Sequence, residues 1–161
     1  LMATGDDKFL VIAVAAGVTI AVAVAGALLT DIGEWYFSLE RPAWQPPDWA
    51  FGPVWTLVFT TAATAAVISW LNGPGERILV VTTFVVNAVL NIAWSWIFFR
   101  LRRPDWAFVE VIAFWLSIAA LILICGRIDA RAGWLLVPYL VWVSFAAFLN
   151  LTIVRLNRPF A

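Results

Sequence analysis

Residues 35–59 read WYFSLERPAWQPPDWAFGPVWTLVF. This stretch holds four of the chain's eleven Trp, four of its eight Pro and one of its two Tyr, and it lies between two long apolar segments. Pro42, Pro46, Pro47 and Pro53 lack the N–H that a helix interior needs, so the stretch cannot be one continuous helix. It is expected to form a loop of defined shape. Pro-rich backbone loses little entropy on ordering, and Trp44, Trp49 and Trp55 each offer a flat face with one N–H donor. Such a loop is suited to closing a pocket.

The rest of the chain is written for lipid. Of 161 residues, 64% are hydrophobic and only 12% charged, and the mean hydropathy of +0.95 lies outside the soluble globular range. Formal charge is zero and no basic run appears, which argues against a nucleic-acid partner. The chain has no His and a single Cys, Cys125, inside an apolar run. That composition excludes a disulfide framework, a Cys/His metal site, haem ligation through His, and Ser-His or Cys-His catalysis.

The length, residues 1–161, fits a single domain with five spans at about 9–30, 49–71, 78–99, 106–125 and 133–154. Each is long enough to cross a hydrocarbon core of about 30 Å at about 1.5 Å per residue. The first is preceded by Asp6, Asp7 and Lys8 and exceeds the h-region of a signal peptide, so it reads as a span. Asn72 to Gly75 reads as a tight turn, while Arg100 to Asp105 and Gly126 to Ala132 separate the later spans. The expectation is an all-α integral membrane protein, a five-helix up-and-down bundle whose first loop alone is large. Lys8, Arg77, Arg127 and Arg131 fall on one face and Arg41, Arg100, Arg102, Arg103, Arg155 and Arg158 on the other, which favours the aromatic loop on the cytoplasmic side.

Small and polar residues within the spans carry the finer expectations. Ala13, Gly17, Ala21 and Ala25 recur every fourth residue, a smooth stripe for close approach either within the bundle or across a homodimer seam. Thr60 to Ala65 offers a second small surface. Asn87 and Asn91 share one face of the third span, and Trp142, Ala146 and Asn150 repeat at four in the fifth, with Tyr139 one turn before Trp142. Counted from the loop end, Asn91 lies about 12 Å deep, Asn87 about 18 Å, Ala146 about 14 Å and Trp142 about 20 Å. A buried Asn either bonds a neighbouring helix or lines a cavity, and both readings stand here. Trp35, Trp70, Trp106 and Trp134, at span ends, read as an interface belt. Glu110, the one acid within a span, is expected to snorkel or to pair with Arg100, Arg102 or Arg103; no second buried titratable group is evident for a proton relay.

Four ordered blocks resemble the TspO/MBR family, the tryptophan-rich sensory proteins related to the mitochondrial translocator protein, or peripheral benzodiazepine receptor. They are WY-x-x-L-x-[KR]-P-x-W-x-P-P at 35–47, GPVWTLVF at 52–59, NAVLNIAWSWIFF at 87–99 and WLLVPYLVWVSFAAFLN at 134–150. The resemblance implies a five-helix membrane protein, commonly dimeric, with a ligand cavity capped by the first loop. It implies no cofactor; the ligands are porphyrins such as protoporphyrin IX, other haem-pathway intermediates, sterols in animal members, and benzodiazepine-type compounds. Tyr36, Trp55, Asn87, Asn91, Trp142 and Ala146 match family positions that line the cavity, and Trp55 and Trp142 match residues implicated in light-dependent porphyrin breakdown. The sterol-recognition pattern, a Tyr followed within five residues by Lys or Arg, is not met, because the first basic residue after Tyr139 is Arg155. Three functions compete: a receptor or carrier for tetrapyrroles, a protoporphyrin-degrading enzyme, and a lipid-binding dimeric scaffold.

Overall fold

A computed structural model describes residues 5–160 of the chain, leaving out the side chain of residue 6. Its long helices are α1 (Gly5–Leu29), α3 (Phe51–Asn72), α4 (Arg77–Ser95), α5 (Pro104–Ile128) and α6 (Ala130–Asn157); the first loop contains a short helix, α2 (Glu34–Ser38). Counting the turns that extend α3 and α4, five segments among the described residues are long and apolar enough to cross a membrane. The chain is a multi-pass integral membrane protein. Around the bundle the order is α1, α3, α6, α5, α4 and back to α1.

Packing is uneven around this ring, and the sequence explains why. On α5 the buried residues include Ala107, Val111, Phe114, Ile118, Leu121 and Cys125, a spacing of alternating threes and fours; Ala132, Leu136, Tyr139 and Val143 on α6 repeat it. Two such seams interlock, and in lipid this van der Waals fit drives association. At the turn between the two helices Gly126 and Gly133 oppose each other so closely that a Cβ on Gly133 would lie 2.8 Å from the Gly126 Cα. The sequence alone assigns Gly126 to a connection and Gly133 to the start of the fifth span; both are helical residues of a close crossing, and Asp129 alone joins the helices. By contrast α1, apolar all round, has no buried position among its described residues.

Helix ends follow local chemistry. Pro53 sits in the first turn of α3 and Pro104 at the first position of α5, where the missing N–H is no loss. Asp129 caps α6 by accepting from the Arg131 N–H at 2.9 Å, and its other oxygen accepts from Asn72 at 2.8 Å. Beyond α4 the chain makes one π-helical turn, Trp96–Arg100, and leaves it through Arg102 at φ 55°. On α3 the small surface divides: Ala62 and Ala65 are buried, while Thr60 and Thr64 face outward with their hydroxyls bonded to the backbone one turn earlier. A hydroxyl facing lipid must be satisfied within its own helix.

The first loop is pinned to the bundle. Tyr36 and Leu39 pack with Phe98, Phe99, Ala107, Leu149 and Ile153. Trp44 stacks on Phe148, with centroids 5.3 Å apart, and the Asn157 amide makes two 2.8 Å bonds to the Glu40 backbone. Trp49, by contrast, is 76% exposed.

Candidate functional site

At the middle of the bundle α4, α5 and α6 share a polar knot. The Tyr139 hydroxyl donates to Asn87 Oδ1 at 3.0 Å and accepts from Asn91 Nδ2 at 3.0 Å. Asn87 Nδ2 donates to Ser117 Oγ at 2.9 Å, and Ser117 in turn donates to the Phe114 carbonyl at 2.7 Å. All four side chains are buried. The i, i+4 spacing of the two Asn makes this possible, since both reach the same hydroxyl from successive turns.

On one side of the knot lies an apolar cavity of about 570 Å³ between α1, α3 and α4, within the range of about 300–1,000 Å³ usual for ligand sites. Val11, Ala15 and Val22 line it from α1, Phe59, Ala63 and Ala66 from α3, and Phe84, Ala88 and Ile92 from α4; Asn87 and Tyr139 form its polar spot. It extends from Leu10 to Val22 along α1, about 18 Å at 1.5 Å per residue. The cavity therefore runs from mid-bundle away from the aromatic loop, to a far end at Trp70, over whose ring the Arg77 guanidinium lies at 4.8 Å. Val14 on α1 and Val85 and Val89 on α4 line it yet are 57%, 55% and 60% exposed. The cavity opens between α1 and α4 toward the bilayer.

Against the Tyr139 ring stands an aromatic cluster. Trp55 meets the Tyr139 ring edge-on at 6.2 Å and the Trp142 ring at 6.4 Å, and stacks on Phe59 at 5.2 Å. Trp142 stacks on Phe145, meets Phe51 edge-on, and buries its Nε1 without a partner among the described residues. Of the six residues expected to bind ligand, Asn87 lines the cavity, Asn91 stands behind it through the Tyr139 hydroxyl, and Trp55 touches two lining rings, Phe59 and Tyr139. Trp142 is a further ring removed, and Ala146, half-buried one turn beyond, does not line it.

Tyr36 belongs to the loop. Its hydroxyl donates to Asp48 Oδ1 at 2.9 Å and accepts from Gln45 Nε2 at 3.0 Å. Burial, then the bond to Asp48, raises its pKa above the ordinary phenol value. The loop carries an open polar depression of about 390 Å³. That depression and the cavity between α1, α3 and α4 share no lining residue. Glu110 neither snorkels nor pairs: both carboxyl oxygens are buried without a partner among the described residues. The three Arg considered for it are engaged elsewhere, Arg100 with the Leu28 carbonyl at 2.6 Å, Arg103 in a fork on Asp105, and Arg102 over the Trp35 ring. Phe59, Phe84 and the α1 residues are lining groups that the sequence did not single out; Tyr139, one turn before Trp142, was the one lining ring it marked.

The TspO/MBR family profile matches residues 11–156. The chain is a member of the TspO/MBR family. It is 38% identical to the tryptophan-rich protein TspO of Chlorobaculum tepidum, over 94% of this chain and 99% of that protein. It is 36% identical to the tryptophan-rich sensory protein of Cereibacter sphaeroides, over 85% and 86% of the two chains. The human translocator protein is 33% identical over 77% of this chain and 75% of its own. These relatives carry the names of translocator and sensory proteins. For this TspO/MBR member, the four motif blocks are accordingly the aromatic loop, the start of α3, the Asn face of α4 and the Tyr139–Asn150 face of α6.

Proposed function

We propose that this protein is a membrane receptor or carrier for porphyrins and related flat apolar ligands, held in the cavity between α1, α3 and α4. The observation that carries the reading is the cavity itself: about 570 Å³, lined by apolar groups except at Asn87 and Tyr139, and open to the bilayer in which such ligands dissolve. The apolar walls bind by area and shape, and the knot supplies one orienting polar contact. Ala88→Phe fills the cavity from α4, and overpacking of about 1–3 kcal/mol on the bound state weakens porphyrin affinity about 5- to 150-fold. Protoporphyrin binding to the purified protein in the dark measures this; a folded variant with unchanged affinity rejects the cavity as the site.

A second reading, light-dependent degradation of protoporphyrin, is favoured by the ring contacts from Phe59 through Trp55 to Tyr139 and Trp142 beside the cavity. An indole can give an electron to a photo-excited porphyrin, whereas Phe is far harder to oxidise. Under that reading Trp55→Phe and Trp142→Phe still bind but lose a photoproduct that wild type makes in excess over protein. Under the receptor reading illumination yields only the bleaching of free porphyrin. A homodimer belongs to the same proposal. Ala13, Gly17 and Ala21 face outward, and a methyl group added at Gly17 would meet no other element within 4 Å among the described residues. That leaves this part of the stripe free for a second copy of the chain.

A further inference from the structure

The far end of the cavity carries a charged group that the apolar wall does not explain. Among the described residues no Lys, Arg, Asp or Glu lines the cavity itself. Arg77, however, lies one turn before Val81 and two before Phe84 on α4, so it continues the lining row of that helix past the cavity's end at Trp70. Its side chain is half-buried and fixed from two directions: Nε donates to the Trp70 carbonyl at 3.1 Å, and the guanidinium lies 4.8 Å from the centre of the Trp70 ring. Beyond those contacts its two terminal nitrogens make no hydrogen bond and no ion pair among the described residues, neighbouring Glu76 included. A guanidinium held in place with its outer edge free is a fork for a carboxylate.

The cavity dictates which part of a ligand reaches that fork. The second span ends at Asn72, one helical step past Trp70, so this end lies at the bilayer surface, whereas Asn87 lies ten residues further along α4, about 15 Å deeper. A carboxylate placed at the deep end would lose its water and meet no cation there. At Arg77 it meets a cation and keeps water on its outer side. We infer that Arg77 selects acids: the ligand lies with its carboxylate on Arg77 at the membrane surface and its apolar body along the cavity toward Asn87 and Tyr139. The inference rests on the cavity being the ligand site, and adds to it a direction of binding and a preferred class, rigid apolar acids about 15 Å long. An ester of the same acid keeps the apolar fit and forfeits the fork.

The test compares protoporphyrin with its dimethyl ester, which has the same ring system and no carboxylate, by fluorescence titration in the dark against purified wild type, Arg77→Gln, Arg77→Lys and Arg127→Gln. Wild type is expected to prefer the acid about tenfold, the worth of one charge-assisted hydrogen bond. Arg77→Gln is expected to lose that preference while keeping its affinity for the ester, which shows in the same variant that the cavity is intact. Arg77→Lys should retain part of the preference, because an ammonium keeps the charge without the fork. Arg127→Gln removes a charge from the same membrane face but outside the cavity lining, and should leave the preference whole. Four results overturn the inference alone: equal affinity of wild type for the two forms, a preference that survives Arg77→Gln, one lost equally in Arg127→Gln, or an equal loss of acid and ester in both Arg77 variants. Failure of wild type to bind either form overturns the cavity as the ligand site and the inference with it.

Discussion

Tyr139→Phe removes one oxygen from the centre of the bundle and nothing else. The ring stays, and with it the contacts to Trp55 at 6.2 Å and Phe114 at 5.9 Å. What disappears is the donation to Asn87 Oδ1 and the acceptance from Asn91 Nδ2, both at 3.0 Å, while Asn87 keeps its bond to Ser117. Hydrogen bonds between membrane helices average about 0.6 kcal/mol and reach about 1.7, so two of them amount to about 1–3 kcal/mol. For a chain of this length that corresponds to a melting temperature lower by about 2–12 °C. Thermal unfolding in detergent measures the loss, and a double-mutant cycle with Asn91→Leu should return a coupling of at least about 0.5 kcal/mol. The variant also frees Asn87 Oδ1 at the cavity wall, where it can accept from a ligand N–H, so porphyrin affinity should rise while stability falls. An unchanged melting temperature with zero coupling would refute the claim that this hydroxyl ties α6 to α4.

Glu110→Met should raise the melting temperature, because the carboxyl oxygens are buried without a partner among the described residues and an apolar side chain of similar length removes their desolvation cost; a variant less stable than wild type would show that Glu110 has a partner in the folded protein. Gly133→Ala should destabilise the α5–α6 crossing, since its Cβ would meet the Gly126 Cα at 2.8 Å, whereas Gly17→Leu should leave the fold of a protomer intact and act only on oligomeric state, read by crosslinking in lipid. Asp129 is held below the usual carboxylate range first by the Arg131 side chain and then by the Arg131 N–H. Its contribution is therefore fully present above the unfolded Asp pKa of about 3.9 and is lost as pH falls below it, so acid titration of wild type should show a loss of stability that Asp129→Asn flattens.

Much of this architecture was legible because lipid imposes blunt rules. A span must be about 20 apolar residues, and a buried amide must be worth its cost, so the five helices and the Asn87–Asn91 pair stand out from the sequence alone. What could not be read was the angular coordinate. Counting residues from the loop places Asn87 and Trp142 at nearly equal depth, about 18 and 20 Å, and suggests one site. In the folded bundle Asn87 lines the cavity, whereas Trp142 does not and meets its wall only through the Trp55 ring. Hydrophobic periodicity normally supplies that missing angle, but α1 is apolar on every face, so no stripe marks the side it turns toward α3 and α4. The cavity exists because α1 packs loosely there, and loose packing leaves no pattern of its own in an apolar sequence. Glu110 and the Gly126–Gly133 crossing were hidden for a related reason: each depends on which residue of another helix stands opposite, a matter of helix order around the ring rather than of spacing along the chain. The same order sets Trp55 against two rings of the cavity wall, Phe59 and Tyr139, and Trp142 one ring further away. The ring contacts run from Trp142 to Trp55 and from Trp55 to Phe59 and Tyr139 on the cavity wall, so if Trp142 supplies an electron to a ligand through Trp55, Trp55→Phe should suppress the photoproduct at least as strongly as Trp142→Phe; a photoproduct lost only in Trp142→Phe would refute that route.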